Sequence, residues 1–210
     1  MSQPGKLLFA SLALLALPCP NAHARGFESG QGFHAVQRLG VTLGGNVISE
    51  ITREDGSIRE ISAGGLYQIG AGVLYQAESI PFSGALILNY HYNSDYKDND
   101  NASFRRVPLE ALVYFNGPGR FRIGGGMRYV YSARANSTLN GVTEKITFRN
   151  ARGSIVEIGY QVRPYGWVSL RHVKETYQVA TYASTGTAPG LAGNTPYDGS
   201  HTGFFIGYEY

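Results

Sequence analysis

The stretch HTGFFIGYEY, residues 201–210, places Thr202, Phe204, Ile206, Tyr208 and Tyr210 on alternate positions against His201, Gly203, Phe205, Gly207 and Glu209. Period-two alternation puts the two sets on opposite faces of a β-strand. Such a strand carries unpaired N–H and C=O groups along both edges unless neighbours cover them. The stretch therefore requires partner strands elsewhere in the chain.

The same alternation recurs upstream. Leu39, Val41 and Leu43, with Val47 further on, oppose Arg38, Gly40 and Thr42. Tyr67, Ile69, Ala71, Val73 and Tyr75 oppose Gln68, Gly70, Gly72 and Gln76, and Phe82, Gly84, Leu86, Leu88, Tyr90 and Tyr92 oppose Ser83, Ala85, Asn89 and His91. Arg105, Val107, Leu109, Ala111, Val113 and Phe115 alternate with Arg106, Glu110 and Leu112. Phe121, Ile123, Met127, Tyr129 and Tyr131 alternate with Arg122, Gly124, Gly126, Arg128 and Ser132, and Ser154 to Val162 repeat the pattern against Gly153, Glu157, Gly159 and Gln161. Between Trp167 and Tyr182 the apolar residues change face, from Val168 and Leu170 to Val173, Tyr177 and Val179, which predicts a bulge near Arg171 to Lys174. With the closing stretch this makes eight strands.

The connections alternate in kind. Ala77–Pro81, Asn116–Arg120 and Arg163–Gly166 have tight-turn composition, whereas ISEITREDGSI, SDYKDNDNAS, ARANSTLNGVTEK and STGTAPGLAGNTPYDGS are long and polar. Short and long connections then lie at opposite ends of an antiparallel meander.

The front end points to export. Met1 to Lys6 is short and basic, Leu7 to Leu17 is apolar but too short to span a bilayer, and Ala22-His23-Ala24 offers small residues for cleavage. Residues 1–24 read as a signal peptide and 25–210 as the mature domain; lipoprotein processing at Cys19 is the alternative, with Pro18 standing where a small residue is wanted. Cys19 is the only cysteine, so the mature chain has no disulfide or thiol chemistry. Charges of both signs are interspersed, which argues against a nucleic-acid partner. Of 210 residues, 28 are Gly and 15 are Tyr while only 16% are charged, an unusual balance for a soluble enzyme. Yet no mature segment offers the roughly 20 apolar residues of a membrane helix.

In hydrocarbon every backbone polar group needs a partner within the protein, so a β-chain crosses only as a closed barrel. An even strand number, short turns at one end, long loops at the other, an apolar outer face and aromatic strand ends fit that requirement. The fold class expected is all-β: an eight-stranded antiparallel up-and-down transmembrane β-barrel.

On these features the chain resembles the small outer-membrane β-barrel family, the eight-stranded kind that includes OmpX-like, OmpA-type and opacity-type barrels. The last strand is the most specific point of likeness. The resemblance implies that Phe204, Ile206, Tyr208 and Tyr210 form an assembly signal for the barrel-insertion machinery. It also implies a bacterial outer-membrane location, outer-membrane lipid and lipopolysaccharide as surroundings, and a monomer. The role it implies is structural or surface-interacting, with a narrow channel or carrier, or a lipid A-modifying enzyme, as alternatives.

The inward parity collects Arg38, Arg106, Glu110, Arg122, Arg128, Glu157, Arg171, Glu175 and Glu209. A nearly balanced set of this kind reads first as a structural ion-pair network and second as a polar conduit or anionic-ligand site. For catalysis the candidates are His91 as base, Ser94 as nucleophile and Asp95 as orienter, although a separation of three sets His91 and Ser94 on opposite faces of a strand. His172 with Arg171 and Glu175 makes a second cluster, while His34 and His201 fall at opposite ends of the barrel. The loop Asp95–Asn101 has calcium-like composition without EF-hand spacing, and no cofactor or metal is expected.

Overall fold

The computed structural model describes residues 30–52, 58–78, 80–97, 100–117, 119–186 and 196–210, so the expected signal peptide lies outside the described residues. Among the described residues thirteen strands follow in order: β1 Gly32–Leu43, β2 Val47–Thr52, β3 Ile58–Ser62, β4 Leu66–Gln76, β5 Phe82–Lys97, β6 Asp100–Asn116, β7 Phe121–Leu139, β8 Val142–Phe148, β9 Ala151–Arg163, β10 Gly166–Tyr177, β11 Val179–Ser184, β12 Tyr197–Asp198 and β13 His201–Glu209. Eight of them form the wall, β1, β4, β5, β6, β7, β9, β10 and β13, each antiparallel to the next. The closing stretch supplies the last seam: Val41 stands opposite Phe204 and Leu39 opposite Ile206 where β13 pairs with β1. Closure leaves the wall without a free edge in the lipid.

The outer surface is apolar because the outward parity is apolar. Ile69, Leu88, Val113, Ile123, Ile158 and Ile206 are all exposed, a cost in water and a gain in hydrocarbon. Aromatic residues mark the short-turn end: Phe33 touches Tyr75, Phe82 touches Phe115, Phe121 touches Tyr160 and Tyr208 touches Tyr210, with ring centroids 4.8–5.4 Å apart. A second girdle, with Tyr90, Tyr92, Tyr129 and Tyr131, lies eight to ten residues further along β5 and β7. The upper end of that interval falls within the length of a tilted transmembrane strand, about 9–11 residues.

Above the second girdle the pattern inverts. Phe104, Val130, Ala133, Ala135, Ile146, Phe148, Tyr177 and Val179 point inward and form a buried apolar core with Ile61 and Ala63 from the β2–β3 hairpin and its exit. The wall here faces water, so its greasy side turns inside. This inversion corrects two expectations. No bulge occurs at Arg171 to Lys174: β10 keeps register with β9 from Trp167 to Glu175, the only shift lying between Gly166 and Trp167, and Val173 and Tyr177 are inward because the solvent outside has changed. Ser132, expected inward, is exposed, because β7 carries an extra residue there: Val107 pairs with Tyr131 but Arg105 with Arg134, and Ser132 has φ +50°.

The long connections are also less loop-like than their polarity suggests. β5 and β6 run on to Lys97 and Asp100, β7 to Leu139, and β8 and β11 extend the sheet alongside β7. Polar residues alternate there because one face of a water-exposed strand is solvated.

Candidate functional site: the charged lumen

Inward residues of the eight strands fill the barrel in tiers. Nearest the short turns, Arg122 on β7 donates to Glu209 Oε1 on β13 at 2.6 Å, and its guanidinium lies 4.0 Å from the Trp167 ring centroid and 4.4 Å from that of Tyr114. Gly207 and Gly124 make these stacks possible, since a Cβ at either position would lie 2.1–2.3 Å from the Trp167 or Tyr114 ring.

The middle tier centres on Glu110 of β6. Arg38 on β1 pairs with its Oε2, Arg171 on β10 donates to the same oxygen at 2.7 Å, and Arg128 on β7 stands 3.7 Å from Oε1. Arg171 also holds Glu157 of β9, with Nε 2.7 Å from Oε2, while Asn89 accepts from Arg38 at 2.7 Å and from Gln68 at 3.0 Å. Both guanidinium groups lie over Phe205, at 5.6 and 4.8 Å.

In the upper tier Glu175 on β10 lies 3.2 Å from Arg106, 3.0 Å from Arg128 and accepts from the Tyr177 hydroxyl at 2.6 Å. Arg106 donates to Nδ1 of His91 at 2.7 Å from Nη2 and 3.1 Å from Nε, so that nitrogen is the acceptor and Nε2 carries the proton. Nε2 then donates to Thr42 Oγ1 at 2.9 Å, and the Thr42 hydroxyl donates in turn to Gly64 O at 2.6 Å. His201 follows the same logic: Arg128 donates to Nε2 at 3.2 Å and Nδ1 donates to Gly199 O at 2.8 Å.

All nine charged residues selected by parity are thus buried and brought together, five arginines against four glutamates. Burying ions without partners costs several kcal/mol each, and the shared carboxylates offset that cost. Gln68, Asn89, His91, His201 and Tyr177 complete the network; they sit on the same inward parity, which was the signal available for them, although their partners depend on which strands face one another across the lumen.

The catalytic candidates separate. His91 is buried in the lumen with both ring nitrogens occupied, Ser94 and Ser103 pair on the β5–β6 wall on the opposite parity, and Asp95 pairs with Ala102. The hydroxyl that hydrogen-bonds His91 is that of Thr42, which is fully buried. His172 faces outward to Thr202 at 3.0 Å, away from Arg171 and Glu175. Part of the acidic loop Asp95–Asn101 lies outside the described residues. A recess of about 10 Å³ under the β2–β3 hairpin, lined by Ile48, Ile61, Ala135 and Glu144, has room for about one water molecule.

A closed eight-stranded wall, an apolar outer belt between two aromatic girdles and a charged, filled interior make the architecture of a small transmembrane β-barrel. Two solved structures share this fold. Neisserial surface protein A, NspA, superposes with a TM-score of 0.50 at 12% identity over 87% of this chain and 100% of its own. Ail, the attachment invasion locus protein of Yersinia pestis, gives 0.50 at 8% identity over 86% and 100%. The outer membrane protein AlkL gives 0.43 at 12% identity over 92% and 97%. No family model and no curated protein sequence matches the chain.

Proposed function

We propose that the protein is a monomeric, nonconducting barrel of a Gram-negative outer membrane, with a structural or surface-interaction role carried by its extracellular wall and loops. The observation that supports this reading is the occupied lumen. The Arg122, Glu110 and Glu175 tiers are filled by buried side chains, and the apolar core around Phe104 and Phe148 covers them. A conduit needs a continuous polar path; here water and ions meet a packed interior at each level. Export by a signal peptide at residues 1–24 and assembly through Phe204, Ile206, Tyr208 and Tyr210 belong to the same reading.

Recordings of the refolded barrel in planar bilayers test it. No defined single-channel steps are expected, and stable unitary conductance would replace this reading with the narrow channel or carrier. Lipid A from cells with and without the gene should give the same mass spectrum, because His91 and Ser94 do not meet.

A further inference from the structure

We propose that the outward face of β6, β7 and β9 at the outer rim binds the phosphate groups of an outer-leaflet glycolipid, held by Arg105, Arg134 and Arg152. The inference rests on the membrane-embedded reading above and adds a site to it.

The residues stand at the height of lipid headgroups. Arg105 lies ten residues along β6 from Phe115 of the lower girdle, and Arg152 eight residues along β9 from Tyr160. The first interval is one transmembrane strand length, about 9–11 residues, and the second ends just short of it. Arg134 follows just beyond the bulge that ends the apolar run of β7. All three side chains are exposed, and they point away from the lumen network.

Their arrangement is unfavourable unless an anion is present. Arg105 and Arg134 are directly opposite on neighbouring strands, and like charges so placed repel. Neither forms an ion pair or side-chain hydrogen bond among the described residues, and Arg152 meets only the Tyr129 ring, 6.0 Å from its centroid. In the lumen, by contrast, the same chain supplies a carboxylate to each arginine. Lys174, next along the rim, has Asp198 near it and is left out of the site for that reason.

The surroundings fit a lipid headgroup better than a free ion. Tyr92 is the cross-strand neighbour of Arg105, and Tyr129 and Tyr131, with ring centroids 4.5 Å apart, fill the wall between Arg152 and the arginine pair. Rings with one apolar and one polar end suit the boundary between acyl chains and sugar, while guanidinium forks bind phosphate oxygens in pairs. Among the described residues, Leu43, Tyr67 and Thr202 hold the equivalent outward positions on β1, β4 and β13.

The test uses the refolded, detergent-solubilised chain, with heat-modifiable gel mobility confirming a folded barrel for each variant. Binding is measured to bis-phosphorylated lipid A, to dephosphorylated lipid A and to inorganic phosphate. Arg105→Gln with Arg134→Gln is expected to weaken binding to bis-phosphorylated lipid A by tenfold or more, and Arg105→Lys with Arg134→Lys to lose much less. Dephosphorylated lipid A should bind the unmodified chain and the glutamine variant alike. Equal binding of bis-phosphorylated lipid A by both chains would overturn the site, and so would inorganic phosphate binding as tightly as the glycolipid. Channel activity in the unmodified chain would overturn the nonconducting role alone and leave this site standing.

Discussion

Arg171 on β10 reaches across the lumen to Glu110 on β6, Nη1 to Oε2 at 2.7 Å, while its Nε stays 2.7 Å from Glu157 on the adjacent strand β9. β10 and β6 are not neighbours in the wall. One guanidinium therefore ties opposite sides of the barrel together and braces it against flattening.

Glu110 is the hub of that brace, so its loss should be felt more than the loss of any one arm. Glu110→Gln leaves Arg38 and Arg171 buried beside a neutral amide in an interior that already holds one more arginine than glutamate. We expect a destabilisation of about 3–5 kcal/mol, the usual cost of breaking a buried pair. Urea unfolding of the refolded barrel measures it, and a change within about 0.5 kcal/mol would show that the network is not structurally important.

Trp167 is the only tryptophan, which makes the lower tier directly observable. A methyl group at Gly207 would lie 2.1 Å from its ring, whereas one at Gly84 meets nothing closer than 3.9 Å. Gly207→Ala should shift the tryptophan emission and cost about 1–3 kcal/mol, with Gly84→Ala altering neither. Identical spectra for the two variants would contradict the stacked arrangement.

The upper apolar core can be weakened without touching the membrane belt. Ile61→Ala removes packing beneath the β2–β3 hairpin and should cost the outer region about 2–5 kcal/mol. Limited proteolysis of intact cells should then cut the extracellular segments faster, while the gel mobility of the folded barrel stays unchanged. Loss of that mobility would mean the two regions fold as one unit.

The assembly role of the last strand separates from its folding role. Tyr208→Ala with Tyr210→Ala removes two lower-girdle rings and leaves the β13 backbone pairs with β1 and β10 available. Outer-membrane yield in cells should fall several-fold while refolding in detergent proceeds. Equal loss in both assays would assign the rings to stability alone.

The membrane-spanning part of the fold was legible in the sequence because one physical rule, apolar outward and small or polar inward, runs from Phe82 to Tyr92 and from Phe121 to Tyr131, with Ile87 and Val130 as buried apolar exceptions on the inward parity. The same rule selected all nine charged lumen residues. It stopped being legible where lipid gives way to water: there Val173 and Tyr177 suggested a bulge in β10, and Ser132 marked a real one in β7 that the alternation concealed. Nor can parity tell which inward residues meet. The link from Arg171 to Glu110 depends on strand order and stagger, and the Thr42–His91–Arg106 chain on a carbonyl contributed by the exit of the β2–β3 hairpin.

The extra residue at Ser132 acts as a waterline drawn on β7. Below it the strand turns its oily side to the surroundings, and above it the same strand turns that side inward, so the chain encodes how deep it sits as well as what shape it takes. Moving the bulge two residues along the strand would, on this view, raise or lower the whole molecule in its membrane.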